Sequence, residues 1–140
     1  MGRNIQVVDA AANDSDKTFT LPGTQHFYKL HYVYVTLVTT ATAGNRAMGI
    51  EYSDDNGVVA RIPAGAVQAA SLTYEYSFGL GAENLTAVIV IASPALSLLT
   101  TPLPEISLPP AGTIRVFDMD AIAAAADDMT VRLAYEPLEP

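Results

Sequence analysis

The chain has no cysteine, no tryptophan, two histidines and seven basic residues in 140 positions. Without cysteine there are no disulfides, no thiolate nucleophile and no thiolate metal site. The composition fits folding in a reducing cytoplasm. Without tryptophan, a sugar-binding platform would have to be built from tyrosine. The few basic residues (Arg3, Lys17, Lys29, Arg46, Arg61, Arg115, Arg132) are scattered, and fifteen acids set the net charge at -8. No polycation exists to displace counterions, so neither nucleic acid nor an anionic membrane is expected as a partner. Met1–Ile5 begins no apolar signal-peptide core. The longest apolar stretch, Leu85 to Leu99, is interrupted by Ser93 and Pro94 and is too short to cross a bilayer.

Half the residues are apolar, and the length suits one domain that needs no cross-link to hold a core. From Tyr28 to Glu136 run about eight short β-branched segments, each closed by glycine, proline, asparagine or aspartate. Tyr28–Thr40 is the strongest. Leu30, Tyr32, Tyr34, Thr36 and Val38 point one way, and His31, Val33, Val35 and Leu37 the other. Both faces are apolar in the middle, so both should be covered. Asn56-Gly57 marks a hairpin between Arg46–Tyr52 and Val58–Ile62. Leu72, Tyr74, Tyr76 and Phe78 share a face, as do Met129, Val131, Leu133 and Tyr135. Pro94–Pro104 reads as a loop. Asp120–Asp128 reads as a loop or one helical turn.

Eight strands with unequal loops predict an all-β jelly-roll sandwich of antiparallel strands over residues 28–140. An immunoglobulin-like sandwich is the alternative, weakened by the absent Cys-Trp-Cys core. The predicted core comprises Val33, Val35, Ile50, Leu72, Tyr74, Val88, Val90, Ile114, Val116, Val131 and Leu133. Residues 1–27 read as an N-terminal arm, packed on the domain's own sheet edge or reaching a neighbour.

No catalytic constellation is visible, and no enzymatic activity, cofactor or metal is expected. His26 and His31 are separated by an odd offset, which puts them on opposite faces of a strand rather than in one metal site. The acid pairs Asp14/Asp16, Asp54/Asp55, Asp118/Asp120 and Asp127/Asp128 never form a full calcium ligand series. Aspartate is also a common turn former. The surface candidates are apolar: Ile5, Val7, Val8, Phe19 and Leu21 in the arm, and Leu96, Leu98, Leu99 and Leu103 in the leucine loop. These nine residues are the expected partner contacts.

Three stretches carry a resemblance: Ala60–Thr73 (ARIPAGAVQAASLT), Leu108–Asp118 (LPPAGTIRVFD) and Ala124–Arg132 (AAADDMTVR). They resemble the jelly-roll cement, or decoration, proteins of short-tailed bacteriophage heads. The resemblance covers most of residues 28–136 and rests on turn and strand patterns. It implies a structural virion protein, made in the host cytoplasm, that binds the outer capsid surface between major capsid protein subunits. It carries no individual contact residue. Self-association is expected from the two-faced strand, as a dimer or alternatively a trimer. A head–tail or tail-fibre component and a small carbohydrate-binding sandwich are the other readings.

Overall fold

The computed structural model describes residues 5–13, 15–23, 26–80, 85–90, 96–122 and 126–138. Among them the chain forms eleven strands. The first six are β1 (Ile5–Asn13), β2 (Asp16–Thr20), β3 (Phe27–Val38), β4 (Met48–Asp54), β5 (Gly57–Pro63) and β6 (Thr73–Leu80). They are followed by β7 (Leu85–Val90), β8 (Leu96–Leu103), β9 (Ser107–Leu108), β10 (Thr113–Asp118) and β11 (Asp128–Leu138). The larger sheet runs β1-β11-β3-β6-β8-β7, with β9 beside β3, and the smaller runs β2-β10-β4-β5. Leaving out β7, β8 and β9, the chain passes between the sheets at β1/β2, β2/β3, β3/β4, β5/β6, β6/β10 and β10/β11. Each sheet then interleaves first and last strands, which is the jelly-roll order. The predicted fold class therefore holds, with an insertion that widens the larger sheet beyond β6.

Alternation builds the core. Val33, Val35, Ile50, Ile114, Val116, Val131 and Leu133 lie fully between the sheets, as their period-two patterns predict. Leu72 and Tyr74 are only half-buried. Tyr74 pairs with Leu37 near the end of β6, and Leu72 precedes that strand. The Val88 and Val90 side chains lie outside the described residues.

Three expectations change. The described residues of segment 1–27 include two strands on the domain's own sheet edges. β1 pairs along β11, and β2 pairs along β10, as edge strands of the two sheets. The stretch read as a leucine loop is strand β8, with Leu99 1% and Leu103 5% exposed. Flanking prolines suggested a loop, but Leu-Ser-Leu-Leu-Thr-Thr fills a slot between β6 and β7. Its pairing with β6 is parallel, unlike the antiparallel sandwich predicted. Finally, β3 carries a bulge. Tyr32 opposes Ala134 and Leu30 opposes Tyr135, which leaves His31 as the extra residue. The bulge swaps faces, so Leu30 and Tyr28 join Val33 and Val35 in the core instead of following Tyr32 and Tyr34.

One end of the sandwich is closed by polar groups. Arg46, fully buried, makes a two-pronged contact with Asp127 (Nε–Oδ2 2.8 Å, Nη2–Oδ1 3.0 Å). Its Nη1 also donates to the carbonyls of Thr42 and Gly44. Gln68 donates from Nε2 to the Leu37 and Leu72 carbonyls and accepts from the Tyr76 hydroxyl. These bonds satisfy buried groups where the loops meet.

Candidate functional site

The outer face of the larger sheet is the candidate interaction surface. The register β1–β11–β3–β6–β8 lines up Val8, Arg132, Tyr34, Ser77 and Thr100 across it. One step along, Thr130, Thr36, Glu75 and Leu98 form a second row. Arg132 lies over the Tyr34 ring, with Cζ 4.9 Å from the centroid, a cation–π contact that leaves the guanidinium at the surface. Partial burial, then the hydrogen bond with Glu75, push the Tyr34 hydroxyl up to about 12. It therefore stays protonated across the physiological range. Gln6 donates from Nε2 to the Tyr32 hydroxyl at 3.0 Å, and Ala134, registered between these two residues, is buried.

Beside this bridge, where the β1–β11 pairing shifts between Asp9 and Asn13, lies an open groove of about 300 Å³. Val8, Ala10, Tyr34, Thr36, Thr130 and Arg132 line it. Val8 is 58% exposed, and Val38 is also exposed. The face offers aromatic and aliphatic area around one arginine, which is the composition of protein-binding surfaces.

The outer face of the smaller sheet is built differently. Glu51 receives Arg61 Nε at 2.8 Å and lies 4.0 Å from Arg115 Nη1. Arg115 also grips Asp16 at 2.7 Å and covers the Phe117 ring at 3.9 Å. The Arg115 hydrogen bond holds the Asp16 carboxyl below the usual range. Here charges are already matched within the chain.

The predicted contact residues divide by face. Val8 and Leu98 lie on the outer face of the larger sheet, and Ile5 is exposed near its edge. Val7 and Phe19 are half-buried against the core, while Leu21, Leu99 and Leu103 are part of it. Leu21, Leu99 and Leu103 are thus taken by the chain's own packing. The Leu96 side chain lies outside the described residues. Tyr34, Thr36 and Arg132 share the outer face of the larger sheet and are not among the nine expected contacts. For Tyr34 and Thr36 the signal was the apolar second face of the Tyr28–Thr40 strand; Arg132 lies on β11 and had none.

The acids also have local tasks. Asp118 accepts backbone N–H groups from Ala47, Asp120 and Ile122, and Asp54 accepts from Asn56. Asp127 holds Arg46, and Asp14 lies outside the described residues. His26 Nδ1 lies 3.3 Å from the Leu138 carbonyl, and His31 Nε2 lies 2.9 Å from Glu136 Oε1. Among the described residues, no three acids or histidines are grouped to hold a metal ion.

No family model matches the chain, and no curated protein matches it. Solved structures similar to it include the coat protein of tobacco streak virus, at 14% identity and TM-score 0.42, over 98% of this chain and 90% of that one. Dimeric latent PorU from Porphyromonas gingivalis is similar at 7% identity and TM-score 0.46, over 97% of this chain and 13% of that one. Infectious bursal disease virus follows at 13% identity and TM-score 0.39, over 96% and 32%. Likeness at this level does not bear on function.

Proposed function

We propose that this chain is a structural virion protein: a cement, or decoration, protein on the outer surface of a phage head, bound between major capsid protein subunits. The observation that carries the reading is the outer face of the larger sheet. Val8, Tyr34, Leu98 and Arg132 stand on a hydrogen-bonded sheet and present apolar area around a cation–π pair. The resemblance of Ala60–Thr73, Leu108–Asp118 and Ala124–Arg132 to head cement proteins supplies the partner, the major capsid protein, and the exposed apolar face supports it as the place of contact. A jelly roll that pairs Lys17, Lys29, Arg46, Arg61 and Arg115 with its own acids suits a passive clamp. It gains strength from many symmetric copies, each adding modest affinity, and it stabilises only the assembled shell.

The test adds the purified protein to expanded heads that lack it, followed by cryo-EM and a heat challenge. The expected result is ordered density on the outer surface and survival of heads at temperatures that burst bare ones. Tyr34→Ser combined with Leu98→Ser should abolish decoration while leaving the circular dichroism of the free protein unchanged. Copurification with tails, or no binding to heads, overturns the reading.

A further inference from the structure

The two sheets differ in how their edges are guarded. Just past β5, Ala64 N–H donates to the Met48 carbonyl at 2.9 Å, which sets the phase of the ladder. Alternation then turns the backbone groups of Ile62 and Ala60 toward β4 and those of Pro63 and Arg61 outward. Pro63 has no N–H to offer, Arg61 carries a charge, and the register shift between Tyr52 and Ser53 leaves Val59 unpaired. These are the devices that stop a strand from recruiting another chain. The other edge of that sheet, β2, is only five residues long and carries Asp16 and Lys17.

Over Ile5–Asp9, before its own register shift, β1 has no such guard. Thr39 N–H donates to the Leu72 carbonyl at 2.9 Å, which phases the β3–β6 ladder and, by alternation, β11 and β1. Val7 and Asp9 therefore bond to β11, while the N–H and C=O groups of Gln6 and Val8 point to the open side. The stretch Ile5–Asp9 pairs regularly with Tyr135–Val131 and contains no proline. Its one charge, Asp9, is matched within the chain by Lys17 at 3.0 Å. Among the described residues, no strand occupies the far side of β1.

We propose that β1 is a homodimer interface, in which two copies pair their β1 strands antiparallel about a two-fold axis at Val7 and join their larger sheets. In that register Gln6 faces Val8 of the second copy, and each donates its N–H to the other's carbonyl. Ile5 faces Asp9, so no like charges meet, and the exposed Val8 side chains are brought beside Gln6 on the outer face. A self-complementary strand selects a second copy over a foreign strand, because every contact is made twice. The proposal does not depend on the virion reading.

The net charge of -8 opposes pairing at low ionic strength, so the test is run at physiological salt, where the screening length is about 8 Å. Sedimentation of the full chain should show a monomer–dimer equilibrium. Val8→Pro removes an outward N–H and spares the β1–β11 ladder. Val8→Lys places a charge beside the axis, opposite Gln6 of the second copy, without touching the backbone. Each should weaken dimerisation by about ten-fold or more, with unchanged circular dichroism. Val7→Cys supplies a chain without thiols with one at the axis, where opposed Cα atoms would lie about 4.5 Å apart, within disulfide reach. It should cross-link under mild oxidation, whereas Val59→Cys on β5 should not. A monomer at all concentrations, a trimer, a dimer indifferent to folded Val8→Lys, or equal cross-linking of the two cysteine variants would each overturn the proposal. Should Val8→Pro unfold, the lysine and cysteine variants still decide.

Discussion

Lys17 on β2 and Asp9 on β1 form an ion pair of 3.0 Å that ties the edge strand of one sheet to the edge strand of the other. Lys17 stands on the inner side of the sandwich, in register with Val116, and its Nζ also donates to the Ala11 carbonyl. Its aliphatic stem packs between the sheets, and its charge leaves them at the rim. The hydrogen bond from Lys17 holds the Asp9 carboxyl below its ordinary range. A depressed carboxylate contributes stability above its unfolded value, about 3.9, and that contribution is lost as pH falls through the folded value. Asp9→Asn should therefore flatten the stability profile between neutral and strongly acidic pH. Because Asp9 is 38% exposed, the effect at neutral pH should stay below about 1 kcal/mol. Chemical denaturation at a series of pH values checks both parts.

Breaking the Arg46–Asp127 pair should cost far more. Both side chains are completely buried. Burial works against the Asp127 charge, but Arg46 and Thr40 outweigh it, and the carboxyl is held below its usual range. Arg46→Met or Asp127→Asn leaves the other member without its charge partner in the interior, at a cost of about 3–5 kcal/mol. The readout is the shift of the urea midpoint. The double variant should recover part of the loss.

Two buried tyrosine hydroxyls should respond with opposite signs. The Tyr52 hydroxyl has no hydrogen-bond partner among the described residues, and burial raises its pKa. Tyr52→Phe should leave stability unchanged or raise it by about 1 kcal/mol, since an unsatisfied polar group is removed. Tyr76 donates to Gln68 Oε1 at 2.8 Å. Tyr76→Phe orphans that oxygen and should cost about 1–3 kcal/mol. Thermal unfolding of the two variants side by side separates them.

Neighbouring leucines on β8 give a test of its strand geometry. Leu99 faces the core, and Leu98, half-buried, faces outward beside Glu75. Leu99→Ala should cost about 2–5 kcal/mol. Leu98→Ala should cost markedly less, because much of its side chain is already solvated. Equal losses would show that β8 does not alternate between core and surface.

The candidate surface was partly legible beforehand. Val8 and Leu98 stood out as apolar residues without an obvious core role, and both lie on the outer face of the larger sheet. Leu99 and Leu103 carried the same signal and turned inward, because a strand sends neighbours to opposite faces and a loop reading cannot tell them apart. Arg132 had no local signal at all. Its contact with Tyr34 exists only because β11 lies beside β3.

The amino-acid sequence by itself determined the all-β class, the positions of most strands and which of their residues seek a core. Those properties follow from side-chain period, β-branching and turn chemistry, each acting over a few residues. Only the tertiary structure decided that Ile5–Asn13 and Asp16–Thr20 close the two sheets, that β8 enters beside β6 in parallel, and that His31 bulges and reverses the faces of β3. It alone brought Arg46 to Asp127 across 81 positions of chain. Strand pairing depends on which distant edge is left open and what it can bury, and no local pattern encodes that choice.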